Sequence, residues 1–204
     1  MLTIGIAGGS GSGKTTVVKH LIEALPANSV SVLSQDSYYN DNSHLPLDER
    51  KKINFDHPNA IDFELLCEHI KAIQTGKTIQ QPVYSFLTSS RQAEYQTITP
   101  TKIIIVEGIL IFTHLKLLSL LSLKVFVDAE PDDRLTRIIE RDTLLRGRDL
   151  TEILTRYHQT VKPMHQQFIE PSKRYADIII PGGGFNHIGT EVFIELAMRK
   201  LEQQ

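Results

Sequence analysis

Five short apolar runs punctuate the chain, at residues 2–7, 30–33, 103–106, 125–127 and 178–180, and each has the length of a buried strand. Two of them, Ile103-Ile104-Ile105-Val106 and Ile178-Ile179-Ile180, are continuous rather than alternating, the pattern of a strand covered on both faces. Helical periodicity fills the gaps. Val17, Leu21 and Leu25 recur at fourfold spacing after Lys14 until Pro26 stops them, and a second helix runs from an Asp62 N-cap through Leu66, Ile70 and Ile73 to Gly76. Pro131 opens a third, with Leu135, Ile138 and Ile139 on its apolar face, ending near Gly147. A longer one follows from Asp149 through Leu150, Leu154, Tyr157 and Val161, where Pro163 is predicted to kink or break it. After the Gly182-Gly183-Gly184 loop a last helix is expected near residues 190–201. Strands alternating with helices predict an α/β fold with a mostly parallel five-stranded sheet. Residues 77–100 break the rhythm: Thr, Tyr, Val and Gln alternate around Pro82, which reads as an antiparallel β-ribbon inserted as one wall of a cleft.

The 204 residues fit a single domain without repeats or linker. Lys plus Arg number 22 against 24 Asp plus Glu, a net charge of -2, so no global positive field exists to hold nucleic acid or anionic lipid. An anion must be bound locally. The single cysteine, Cys67, reads as a small apolar residue on a helix and, with no disulfide available, fits a reducing cytoplasm. No signal-peptide pattern opens the chain, and the most apolar stretch, 117–123, is too short to span a bilayer, so secretion and membrane insertion are not expected.

Gly8-Gly9-Ser10-Gly11-Ser12-Gly13-Lys14-Thr15 matches G-x-x-x-x-G-K-[ST], directly after a strand pattern and directly before a helical one. Glycines there let consecutive backbone N–H groups turn inward around phosphate oxygens, the helix N-terminus adds partial positive charge, Lys14 reaches the β and γ phosphates, and Thr15 offers a hydroxyl to Mg²⁺. The fold class expected is therefore a P-loop NTPase-type α/β sandwich. Glu107, at the end of the strand pattern 103–106, is the candidate second residue on the metal side. Kinases, GTPases and motor ATPases share this loop, but no N-K-x-D segment reads guanine and the length leaves no room for a motor's second domain, so a small-molecule kinase is favoured. Such an enzyme needs a group to orient the acceptor hydroxyl, and Asp36 follows the second strand, whose end faces the same crevice. Arg134, Arg137, Arg141, Arg146 and Arg148 crowd one helix and its exit. The last three read as a lid closing on the transferring phosphoryl, within a segment spanning 134–149, whereas Arg134 and Arg137 are expected on a solvated helical face.

Gly9-Ser-Gly-Ser-Gly-Lys-Thr-Thr16, Gln35-Asp-Ser-Tyr-Tyr39, Phe55-Asp-His-Pro58, Pro82-Val-Tyr84, Glu107-Gly-Ile-Leu110, Arg141-Asp142, Arg146-Gly-Arg148, Lys162-Pro-Met-His165 and the run Phe168–Pro181 occur in an order that resembles the uridine (uridine-cytidine) kinases, over nearly the whole chain. The resemblance implies transfer of the γ-phosphoryl of ATP or GTP, with Mg²⁺, to the 5′-hydroxyl of uridine or cytidine, in a cytoplasmic homotetramer. It implies that Asp36 takes the hydroxyl proton, that Lys14, Arg141 and Arg146 attend the phosphoryl, and that Gly8 to Thr16 hold the donor. Tyr39 and Asp56 would hold the ribose, Tyr84 and Phe86 the base, and Arg148 would face the nucleoside. Phe55 borders the same site, with packing its main role, like His57. The loop from Pro181 to Asn186 would border the adenine. Three positions depart from the family pattern: Ser89 stands where a histidine is usual, Ile138 where a second arginine is, and Arg156 where a glutamine is. Arg156 keeps open a sugar-phosphate acceptor, as in phosphoribulokinase-like enzymes, or another nucleoside; a catalytically idle nucleotide-binding protein is the further alternative.

Overall fold

In the computed structural model, which describes residues 1–202, the apolar runs form one parallel sheet of five strands, and the ribbon stands apart from it. In chain order the strands are β1 (Leu2–Ala7), β2 (Val30–Ser34), β3 (Ile79–Ser85), β4 (Ser90–Ile98), β5 (Ile103–Gly108), β6 (Leu123–Val127) and β7 (Ile178–Ile180). The helices are α1 (Lys14–Ala24), α2 (Leu47–Arg50), α3 (Phe63–Gln74), α4 (Leu115–Leu118), α5 (Pro131–Arg146), α6 (Leu150–Arg156), α7 (Lys162–Met164), α8 (Glu170–Ser172) and α9 (His187–Glu202). The sheet order is β2-β5-β1-β6-β7, and β3 pairs with β4 antiparallel, with a register shift between Pro82 and Tyr84.

The continuous apolar run of β5 is explained by two covers. Ile103 and Ile105 face a layer built with Val17 and Leu21 of α1 and Phe193 and Ala197 of α9; Ile104 and Val106 face Leu66, Ile70 and Ile73 of α3. Ile103, Ile104, Ile105 and Val106 are all fully buried, at about 1.5–3 kcal/mol each. The expectation that 178–180 is covered on both faces fails: β7 is the sheet edge, and Ile179 is 47% exposed.

Chain punctuation follows the side chains. Leu25, before Pro26, is forced extended (φ -90°, ψ 155°) and ends α1. Asp62 caps α3 by accepting from the Leu65 N–H at 3.0 Å, and Asp149 caps α6 by accepting from Glu152 N–H at 2.9 Å. Gly147 ends α5 in the left-handed region (φ 63°). Pro163 does not break its helix. Residues 150–175 run on as one helical rod in which α7, carrying Pro163, lies between two π-helical turns, Tyr157–Val161 and His165–Ile169. The wider π turn removes the hydrogen bond that a proline cannot donate and relieves its clash with the preceding turn. The last helix begins at His187, earlier than its apolar spacing indicated. Cys67 is buried in α3 without a disulfide. Among the described residues no helix is long and apolar enough to cross a membrane.

Candidate active site

Parallel strands bring their C-terminal ends to one edge, and the register sets those ends level: Ala7 lies opposite Gly108, and Ser34 opposite Glu107. The loop after β1, the 3-10 turn Gln35–Tyr38 after β2 and the end of β5 therefore open into one crevice, where the chain order switches sides of β1. The cleft there has a volume of about 1800 Å³, well above the ~300–1,000 Å³ typical of a one-ligand pocket, and has room for a donor and an acceptor together.

On the donor side the cleft is walled by Ser10, Gly11, Gly13, Lys14, Thr15 and Thr16. Gly8, Gly9 and Ser12 do not face it; they form the back of the loop. Gly13 is left-handed (φ 94°), and an added Cβ would lie 2.5 Å from the Gly184 backbone nitrogen. Lys14 folds across the loop and donates to the Gly9 carbonyl at 3.0 Å. Burial draws its ammonium down to about 8, against the opposing pull of Glu107 and Asp36.

Opposite stand Asp36 and Glu107. Burial, reinforced by the Glu107 carboxylate, raises Asp36 to about 6. The turn that carries Asp36 is pinned through Gln35, whose Oε1 accepts from Leu110 N–H at 2.7 Å, and a side chain at Gly108 would strike Gln35 at 2.4 Å. Ser34 Oγ donates to Glu107 Oε1. Thr15 and Glu107 both line the cleft, so a hydroxyl and a carboxylate face the space where donor phosphates would lie. This oxygen-only pair fits Mg²⁺, which takes few protein ligands and completes its shell with phosphate and water.

The end of the cleft toward the β3–β4 ribbon is aromatic. Tyr39 packs on Tyr84 (ring centroids 5.0 Å apart), Phe55 (5.3 Å) and Phe86 (6.2 Å). The Tyr84 hydroxyl is buried and has no partner among the described residues, and burial pushes its pKa up to about 12, so it stays protonated and keeps a free donor. Asp56, buried, receives Arg156 Nη2 at 3.0 Å. Ser89 lines the cleft as the left-handed residue (φ 48°) of the β3–β4 turn. Ile138 does not face the cleft at all; it packs with Ile153, Tyr157 and Val161 and fastens α5 to the helical rod. His57 fixes a turn, its Nδ1 accepting from Asn59 N–H at 3.1 Å.

The arginines divide differently from the expected solvated and lid sets. Arg134 is 4% exposed, not solvated: its Nε donates to the Ala129 carbonyl, and its guanidinium lies with His165 behind Gly9, where a Cβ would meet each at about 3 Å. Burial carries the His165 imidazole down to about 4, so it is neutral there. Arg137 is likewise engaged, donating to the Gly11 carbonyl at 3.3 Å with its guanidinium 4.8 Å over the Phe185 ring at the cleft rim. Both back the phosphate loop because α5 starts beneath it. Arg141, Arg146, Arg148 and Arg156 line the cleft and share one partner that the charge pattern alone did not single out, Asp142, whose side chain is 1% exposed. The legible signal was its position four residues before Arg146 on a helix.

Residues 3–189 match the model of the Phosphoribulokinase / Uridine kinase family. The chain is 47% identical over 191 residues to a uridine kinase of Ligilactobacillus salivarius (strain UCC118), covering 94% of this chain and 90% of that protein. It is 45% identical over 203 residues to a uridine kinase of Bacillus cereus (strain AH187), covering 100% and 96%. Among solved structures, phosphoribulokinase from Rhodobacter spheroides shares the fold with a TM-score of 0.63 at 15% identity, over 88% of this chain and 69% of that one.

Proposed function

The chain belongs to the phosphoribulokinase/uridine kinase family, and on that premise we propose that it transfers the γ-phosphoryl of ATP or GTP to the 5′-hydroxyl of uridine or cytidine. It is a phosphotransferase with an alcohol acceptor. One observation carries the reading: Asp36 stands in the same cleft as Lys14 and Thr15, with a carboxyl tuned to about 6, close to the pH at which a proton acceptor works well.

In this reading the N–H groups of Gly11, Gly13, Lys14 and Thr15 and the Lys14 ammonium hold the donor phosphates. Asp36 orients the acceptor hydroxyl and takes its proton as the oxygen attacks the γ-phosphorus and the bond to the β-phosphate oxygen breaks. Arg141 and Arg146 face the charge that spreads over the phosphoryl oxygens. Thr15 and Glu107 would hold Mg²⁺, which would supply positive charge to offset that of the donor phosphates. Asp56 accepts from the ribose hydroxyls, and a deoxyribose that leaves this buried carboxylate short of a partner loses about 1–3 kcal/mol of binding. Tyr39 stands with Asp56 at the ribose; Tyr84 and Phe86, with Phe55 behind them, hold the base, and Ser89 and Arg148 border it. By family likeness the enzyme works in the cytoplasm as a homotetramer that salvages pyrimidine nucleosides.

A sugar-phosphate acceptor is not favoured, because the charge of Arg156 is already met by Asp56 at 3.0 Å and Asp142 at 3.6 Å. Turnover measured on uridine, cytidine, adenosine, guanosine and ribulose 5-phosphate, each with ATP and with GTP, tests the reading. Preference for the pyrimidine ribosides supports it. Activity confined to ribulose 5-phosphate, or to none of them, refutes it.

A further inference from the structure

Of the five arginines that line the cleft from α5, its exit and α6, four (Arg141, Arg146, Arg148 and Arg156) have one carboxylate behind them. Asp142 Oδ1 receives Arg141 through Nε at 2.8 Å and Nη2 at 2.7 Å, and Arg146 Nη1 lies 3.3 Å away. Asp142 Oδ2 faces Arg148 Nη1 at 3.4 Å and Arg156 Nη1 at 3.6 Å. The backbone repeats the arrangement, since the Arg148 N–H donates to the Asp142 carbonyl at 3.1 Å across the left-handed Gly147. Arg156 also reaches Asp56 on the acceptor wall, and Arg148 Nε lies 3.4 Å from Glu152.

Asp142 does not line the cleft, so it touches neither substrate; the four arginines do. Exposed ion pairs contribute little, but this carboxylate is 1% exposed, and removing it would leave four like charges facing one another in a partly dry wall. Three carboxylates, Asp142, Asp56 and Glu152, meet the four guanidinium groups, so this cluster carries one net positive charge, the sign a polyphosphate requires.

We propose that Asp142 is a positioning residue: one buried carboxylate gathers Arg141, Arg146, Arg148 and Arg156, holds the first two aimed at the incoming phosphoryl, and through Arg156 couples that aim to Asp56 on the acceptor side. The inference rests on reading the cleft as a phosphoryl-transfer site, and it predicts that binding and turnover move in opposite directions when the carboxylate is removed.

The test compares the full-length wild type with Asp142→Asn, Asp142→Glu, Arg156→Gln and the double variant D142N/R156Q. Affinity for inorganic tripolyphosphate is read by titration calorimetry, turnover on uridine with ATP, and folding by thermal melting. In folded Asp142→Asn, tripolyphosphate binds about fivefold or more tighter because local positive charge has risen, while kcat falls about tenfold or more because misaimed groups lose their orientation advantage. Asp142→Glu, which keeps the charge, binds tripolyphosphate within about twofold of wild type. A folded Asp142→Asn with unchanged kcat, or with unchanged or weaker tripolyphosphate affinity, overturns the proposal, since a purely structural carboxylate would not tighten anion binding. If that variant does not fold, the double variant decides: it removes one charge of each sign, and kcat equal to that of Arg156→Gln alone overturns the proposal. Wild-type protein that phosphorylates no nucleoside, alongside variants that show the tripolyphosphate shift, refutes the acceptor reading and leaves the gathering of the arginines standing.

Discussion

Replacing Asp36 by Asn separates what the site does from what it costs the fold. The carboxyl is raised from 3.8 to about 6 by burial and by Glu107, so its ionised form is disfavoured in the folded chain. Roughly 1.36 kcal/mol accompanies each pKa unit, which gives about 3 kcal/mol as a ceiling once Asp36 is fully ionised. The sign follows from the direction: the penalty is absent below the unfolded pKa, grows as pH rises toward 6, and is complete above it. Asn has nearly the same volume and no charge. Asp36→Asn is therefore expected to melt several degrees above wild type at pH 7.5, at about 2–4 °C per kcal/mol for a chain of this size. The gain should shrink toward zero near pH 4. Turnover on uridine should fall by about 10² to 10⁴, the usual contribution of a positioned base. Melting curves of both proteins from pH 4 to pH 8, paired with initial rates at pH 7.5, make the comparison. A variant that melts at or below wild type at every pH, or that keeps turnover within tenfold, refutes the assignment of Asp36 as a strained, catalytic carboxylate.

Other perturbations probe other parts of the account. The pH profile of kcat/KM should rise through about 6 as Asp36 ionises and fall through about 8 as Lys14 loses its proton, and a profile flat across both values contradicts the electrostatics of the cleft. Gly13→Ala puts a Cβ 2.5 Å from the Gly184 nitrogen at a left-handed position, so nucleotide binding measured by calorimetry should drop below detection while the fold survives. Arg156→Ala leaves buried Asp56 without its guanidinium and should lower stability in denaturant titration by up to about 3 kcal/mol, with Arg156→Gln costing less because its amide still donates. Ile104→Ala opens a cavity between β5 and α3 and should cost about 2–5 kcal/mol in the same titration, with activity of the folded fraction retained.

The sheet was legible because each strand is a short apolar run and each helix carries its own stop signals, Pro26, Gly76 and Gly147 among them. The phosphate loop was legible because its spacing is dictated by backbone geometry around an anion. Pro163 misled because a lone proline says nothing about π turns on either side that absorb it. Ile179 misled because a continuous apolar run does not reveal that its strand lies at the sheet edge. Arg134 read as solvated helix because its partner, the Ala129 carbonyl, is a backbone group that side-chain spacing cannot show; Arg137 keeps an i,i+4 pair with Asp133 at 3.8 Å but also reaches the Gly11 carbonyl. Asp142 was visible in the sequence as part of the Arg141-Asp142 motif; its role as common partner of four arginines depends on Arg148 and Arg156 being folded back onto it from beyond Gly147. Ser89 and Arg156, which depart from the family pattern, both lie in the cleft, whereas Ile138 has become a packing residue of the α5–α6 interface.

The proposed reaction passes a phosphoryl group, within one cleft, from the loop after β1 to an alcohol beside Asp36. Its most direct test is a single-turnover reaction of the protein with ATP labelled at the γ-phosphate, Mg²⁺ and either uridine or 5′-deoxyuridine, with products separated by chromatography. Label is expected in uridine 5′-phosphate from the first acceptor and in no nucleotide product from the second. Label appearing only as inorganic phosphate with both acceptors would contradict it.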